Sequence, residues 1–196
     1  MAAPNDPMRR KVVAALASLP LLGTAQSAHS EDAASGGSKV LVAYFSRSGN
    51  TKVIAGLLQR AQQADLFEIR PANAYPADYL QTVEQARQER DSGFEPALAG
   101  HVADMSNYDV VFLGFPIWGE TAPPVIRSFL SAHDLAGKVV VPFITHGGYG
   151  AGSSYQVVAR HAPKAVLRKG FEMQADQERK TMEQFNGWFE TLKIPS

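Results

Sequence analysis

Three uninterrupted apolar runs constrain this chain more than any other feature in it. They are residues 40–45 (Val-Leu-Val-Ala-Tyr-Phe), 110–115 (Val-Val-Phe-Leu-Gly-Phe) and 139–144 (Val-Val-Val-Pro-Phe-Ile). A strand with one face in water alternates apolar and polar residues, so a run without polar positions is covered on both faces. Central strands of a parallel sheet flanked by helices read this way. Each run leads through a turn-rich loop into residues at helical spacing: Ile54, Leu57, Leu58 and Ala61, then Val125, Ile126, Phe129 and Leu130, then 155–160. Weaker strands are expected near 66–69, closed by Pro71, and near 170–172. A helix is expected over 78–89, residues 91–105 carry no clear pattern, and Met182, Phe185, Phe189 and Leu192 share one face of a last helix. Five βα units imply an α/β fold, an open five-stranded parallel sheet of order 2-1-3-4-5 with helices on both faces. That order places the two weakest strands at the edges, while Pro142 argues against a perfect ladder in the fourth. Ligands of such sheets bind beyond the carboxyl ends of the strands, where strand order reverses, here between the first and third.

Composition narrows the chemistry. The chain has no cysteine, which excludes disulfides, thiolate metal sites and a cysteine nucleophile. Its 19 basic and 19 acidic residues cancel, so charge gives no reason to expect a nucleic-acid partner.

The first 30 residues read differently from the rest. Arg9-Arg10-Lys11 precedes an apolar stretch over 12–22 that is too short to span a bilayer, and small residues follow at 25–30. This is the pattern of a secretory leader over 1–30. Residues 31–38, with Ser35-Gly36-Gly37-Ser38, form a flexible tether, and 39–196 form the folded domain. Loss of Asp6, Arg9, Arg10 and Lys11 with the leader leaves 16 basic and 18 acidic residues, a net of −2. The expectation is an exported, periplasmic protein without a membrane span after cleavage. The arginine pair favours the twin-arginine route. Met8 before it and Lys11-Val12-Val13 after it leave the general secretory route open.

Three loops carry the candidate chemistry. In the first, Ser46, Arg47, Ser48, Gly49, Asn50 and Thr51 offer hydroxyls, an amide and a flexible glycine at a helix N-terminus. Such a loop can hold a tetrahedral anion, or it can be a plain capped turn. No Gly-Lys-Ser/Thr follows, so it is not a nucleoside-triphosphate loop. The second loop contains Pro116, Ile117, Trp118 and Gly119. Its tryptophan suits stacking on a planar ligand at the top of the sheet, or packing on a neighbouring helix. The third contains Thr145, His146, Gly147, Gly148, Tyr149 and Gly150. Its glycines let backbone approach a ligand closely, and Tyr149 offers a second aromatic wall. His146 either tunes the ligand or hydrogen-bonds its own loop. No second residue at suitable spacing supports a metal site there.

Taken in order, Tyr44–Thr51, the Gly-Phe-Pro-Ile-Trp-Gly run over 114–119 with Ala-Pro-Pro after it, and Thr-His-Gly-Gly-Tyr-Gly over 145–150 resemble the flavodoxin family. The segment Tyr75-Pro76-Ala77-Asp78-Tyr79 is similar to one bacterial branch of it, and no long insertion interrupts the fifth strand. The resemblance covers residues 39–192. It implies FMN, with its phosphate at Ser46, Arg47, Ser48, Asn50 and Thr51 and its ring between the Trp118 and Tyr149 loops. With FMN in that place, His146, if protonated near ring N1, would stabilise the reduced anionic flavin. The resemblance also implies an oxidoreductase passing electrons from a small-molecule donor to a quinone or similar small acceptor, or else a non-enzymatic carrier docking to a redox protein. Two features depart from electron-shuttle flavodoxins: the near-neutral charge, where those proteins are strongly acidic, and the export leader.

Overall fold

The computed structural model describes residues 38–174, 185 and 187–191. The expected leader, the tether up to residue 37, Met182 and Leu192 lie outside the described residues. In chain order the elements are β1 (Val40–Tyr44), α1 (Asn50–Gln62), β2 (Asp65–Glu68), α2 (Tyr79–Ser92), β3 (Val110–Pro116), α3 (Pro124–Ala132), β4 (Val139–His146), α4 (Ser154–His161), β5 (Val166–Leu167) and β6 (Phe171–Gln174). The sheet is parallel throughout and runs β2-β1-β3-β4-β5, with β6 also paired to β4.

The central strands are buried on both faces, which is why their sequences lack polar positions. On one face Val42, Tyr44, Phe112 and Phe143 meet Ile54, Ala55 and Leu58 of α1, together with Phe185. On the other, Leu41, Leu113, Phe115 and Ile144 meet Val125, Ile126 and Phe129 of α3. Full burial of each such side chain is worth about 1.5–3 kcal/mol. Local signals set the helix starts. Asp78 caps α2 by accepting from the Gln81 N–H at 2.9 Å, and Pro124 opens α3 at a position where no amide hydrogen is needed.

One blank is filled and one expectation needs adjustment. The segment after α2 has no periodicity because it makes only an isolated antiparallel bridge, Pro71 to Leu98, before a 3-10 turn at Met105–Asn107. The fifth strand, expected as one piece near 170–172, comes in two. β5 pairs with Val139 and Val140, β6 pairs with Phe143 to His146, and Gly170 belongs to neither. Pro142 is the cause. Arg168 N–H donates to Val140 O at 2.9 Å, so Pro142, two residues on, turns its nitrogen toward the same neighbour. It has no hydrogen to give, and the rung is lost. Gly170 then presses so close to Pro142 O that a Cβ would overlap it, and its N–H turns to Tyr155 Oη at 3.2 Å.

At the centre of the sheet Gly114 stands opposite Phe143, and a Cβ on Gly114 would enter the phenyl ring. Gly114→Ala should therefore lower stability by about 1–3 kcal/mol, as overpacked cores do. In urea unfolding the midpoint should fall while the slope stays unchanged.

Candidate functional site

The first loop leaves β1 and enters α1 through Gly49, whose φ of 99° lies in the left-handed region. Ser46 Oγ accepts the Gly49 N–H at 3.1 Å, which keeps the hydroxyl's own proton available. No side chain caps α1, and the N–H groups of Asn50, Thr51 and Lys52 find no partner among the described residues. Ser48 is exposed, Ser46 and Asn50 are half-buried, and the loop carries no carboxylate. Hydroxyls, an amide, free amide hydrogens and the positive end of a helix dipole make a donor set that fits a phosphate.

Other residues of this group have different partners. Arg47 reaches away, donating Nη2 to Ala77 O at 2.9 Å and lying over the Tyr79 ring. Thr51 and Thr145 are buried, and their hydroxyls bond each other at 2.9 Å across 94 residues of chain. They tie the start of α1 to the end of β4.

The second loop is clamped to the third. Ile117 N–H donates to Thr145 O at 2.8 Å, and Trp118 N–H to Thr121 O at 2.9 Å. The turn from Trp118 to Thr121 has positive φ at both central residues, 58° at Gly119 and 64° at Glu120, which glycine tolerates and glutamate does not favour. Glu120 is held there because its carbonyl accepts the Ser153 N–H at 2.9 Å, with Gly152 packed against it too closely for any side chain.

That turn tucks Trp118 inward. Its ring meets the rings of Phe45 and Tyr75 edge to face, at 5.2 and 4.8 Å between centroids. Tyr75 Oη donates to Glu89 Oε2 at 2.8 Å, and Gln85 Nε2 donates to the other carboxylate oxygen at 2.8 Å. Burial, reinforced by the Glu89 carboxylate, raises the Tyr75 hydroxyl well above the usual tyrosine range. Trp118 still borders a cleft of about 360 Å³, with Pro116, Ile117 and Gly119 from its own loop, Arg47 and Ser48 from the first, and Tyr79, Thr82, Val83, Ala86, Arg87 and Arg90 beyond. The cleft lies at the switch point between β1 and β3 and is within the size range of small-ligand sites.

Tyr149 does not face Trp118 across this cleft. It is 88% exposed and borders a wider neighbouring groove, which Gly119 and Arg90 also line. The third loop passes Gly147 and turns at Gly148 and Gly150, whose N–H groups donate to His146 Nδ1 at 3.1 and 3.3 Å. His146 therefore hydrogen-bonds its own loop, and only Nε2 remains for a ligand. Sequence reasoning missed α2 as a wall of the cleft. Its apolar content is slight, with Thr82, Ala86 and Glu89 the buried positions, so nothing local marks the face that closes on the loops. Among the described residues no cluster of His, Asp and Glu could hold a metal ion, and no helix is long and apolar enough to cross a membrane.

The sequence profile of the flavodoxin family matches residues 39–192, and the chain belongs to that family. A structure from Bacteroides eggerthii, provisionally described as a flavoprotein, is 34% identical, with a TM-score of 0.69 over 80% of this chain and 99% of that one. One from Bacteroides uniformis, described likewise, is 31% identical, with a TM-score of 0.70 over 79% and 99%. A Lactobacillus acidophilus flavoprotein in complex with FMN shares the fold at 23% identity, with a TM-score of 0.60 over 74% and 99%. No curated protein matches the chain.

The buried hydroxyl pair gives a direct test of how the loops are held. Thr51→Val and Thr145→Val should each cost about 1–3 kcal/mol, because each strands a buried hydroxyl. The double variant should lose much less than the two single losses together, and a double-mutant cycle by denaturant unfolding measures that coupling.

Proposed function

We propose that this flavodoxin-family chain holds FMN and uses it as an oxidoreductase that passes electrons to a quinone or similar small acceptor. The observation that carries this reading is the uncapped N-terminus of α1 opening beside a ligand-sized cleft at the switch point of the sheet. Ser46, Ser48 and Asn50, with the free N–H groups of Asn50, Thr51 and Lys52, would hold the phosphate. Pro116, Ile117, Trp118 and Gly119 would border the ring, and His146 Nε2 is the ring nitrogen that His146 can still offer. Bound FMN supplies one- and two-electron redox chemistry. The chain's part is to orient the ring, shield one side of it from water with the Phe45–Tyr75–Trp118 cluster, and leave an approach for a small reactant.

A small acceptor is favoured over protein docking by the charges around the site. Arg47, Arg87 and Arg90 line the cleft and no carboxylate is among its described lining residues, with Glu84 and Asp91 pairing Arg87 and Arg90 at its edge. Turnover of a nicotinamide or quinol donor with a quinone distinguishes the enzyme from a carrier, which would show none without its partner protein.

The phosphate loop predicts a strong preference for FMN over riboflavin. Charge-assisted hydrogen bonds contribute about 1.5–3 kcal/mol each, so two of them separate the ligands by roughly two decades of affinity or more. Fluorescence titration of both flavins measures it, and equal affinities would remove the phosphate assignment.

The same proposal includes export of the folded, FMN-loaded protein to the periplasm by the twin-arginine route. It is supported by Arg9-Arg10 before a short apolar stretch and by a cofactor that is made in the cytoplasm and held without a covalent bond. Replacing both arginines by lysine keeps the positive charge and should abolish appearance of mature protein in the periplasm. Undiminished export in cell fractions would mean the general route, with cofactor acquired outside.

A further inference from the structure

Beside the cleft lies a wide groove of about 1000 Å³, between the Gly119–Glu120 turn and α3 and α4. Three helices each send one arginine to it: Arg90 from α2, Arg127 from α3 and Arg160 from α4. Arg90 is paired with Asp91 at 3.0 Å and donates Nη1 to Gly119 O at 3.4 Å. Arg127 is half-buried, donates Nη1 to Arg90 O at 3.3 Å, and keeps a buried Nε with no partner among the described residues. Neither Arg127 nor Arg160 makes an ion pair among the described residues. Three acidic groups lie nearby. Glu120 lines the groove, Asp91 is committed to Arg90, and Glu95 accepts from Ser131 Oγ at 3.1 Å and lies 3.5 Å from His161 Nε2. Burial, then the neighbouring Arg90 charge, lowers the Arg127 pKa, with Arg160 adding to this and Glu95 opposing.

Cations gathered in a concavity without matching anions cost desolvation and mutual repulsion that a bound anion relieves. Guanidinium forks recognise phosphate and carboxylate oxygens two at a time. A lone oxyanion would fill little of this space, so the fitting ligand is an organic molecule with several charged groups. Arg90 and Gly119 line both groove and cleft, so a ligand anchored on the arginines can extend to the flavin site.

We propose that this groove binds a small polyanion, an organic molecule bearing two or more phosphate or carboxylate groups, which is the reactant whose uncharged end reaches the cleft. The second part of that statement rests on the cofactor reading above, while anion binding by the groove does not. The test is calorimetric titration of the full chain with pyrophosphate and with citrate, at constant ionic strength set by chloride. FMN-loaded protein is used so that the loop before α1 is filled, and FMN-free protein alongside it. One or both probes should bind once per chain. Arg160→Gln, on an exposed side chain, and Arg127→Gln should each weaken binding roughly tenfold or more, or about 1.4 kcal/mol or more. Melting temperature confirms that the variants fold, and FMN affinity should not change in Arg160→Gln. A preference for pyrophosphate assigns a phosphate-bearing reactant, and one for citrate a carboxylate-bearing reactant. Binding of neither probe, or binding indifferent to both substitutions, overturns the proposal. Anion binding that responds to the arginines in a chain that takes up no FMN would keep the groove and remove the cofactor reading.

Discussion

Burial of three central strands on both faces is the constraint on which everything else depends. It forces helices onto both sides of β1, β3 and β4, and a parallel sheet then delivers all three carboxyl ends to one rim. The three loops meet there because their strands do. The meeting is then secured by a few polar bonds that cross long stretches of chain, such as Thr51 with Thr145 and Ser153 with Glu120. Hydrophobic burial brings the loops to the rim, and these bonds fix their spacing.

The central strands, their order and the loop before α1 were legible in the sequence because each is encoded locally. Apolar runs mark buried strands, and a Ser/Thr/Gly/Asn turn marks a helix N-terminus, although whether that end is capped or open is seen only in the fold. Features that depend on the meeting of distant segments were not legible. Trp118 read first as a stacking surface for a ligand, with packing on the protein as the alternative. Its edge-to-face contacts with Phe45 and Tyr75 come from a turn in which Glu120 adopts a backbone conformation its residue type disfavours. Tyr149 has the composition of a second wall, but the clamp between Glu120 and Ser153 leaves it on a different groove. Pro142 did announce a fault in the ladder. That the fault falls on the edge strand, and not on β3, follows only from which side its nitrogen faces.

The arginine groove is the extreme case. Arg90, Arg127 and Arg160 are separated by more than thirty residues each and lie on three helices with different sequence character. A neutral overall charge concealed them, since net charge carries no information about where cations collect. Tyr75 and Glu89 behave alike: an unremarkable tyrosine and an unremarkable helix glutamate become a half-buried, hydrogen-bonded pair beside the tryptophan.

The break at Pro142 has a consequence for how this protein meets copies of itself. An unbroken outer strand over residues 166–174 would present a long, straight row of unsatisfied amides to any passing chain, a template for intermolecular β-pairing. Divided into β5 and β6, that border offers, among the described residues, no continuous run longer than the four residues of β6, and the opposite border, β2, is also four residues. A proline inside a buried strand, costly to its own ladder, thus divides the edge with which a neighbouring chain could pair.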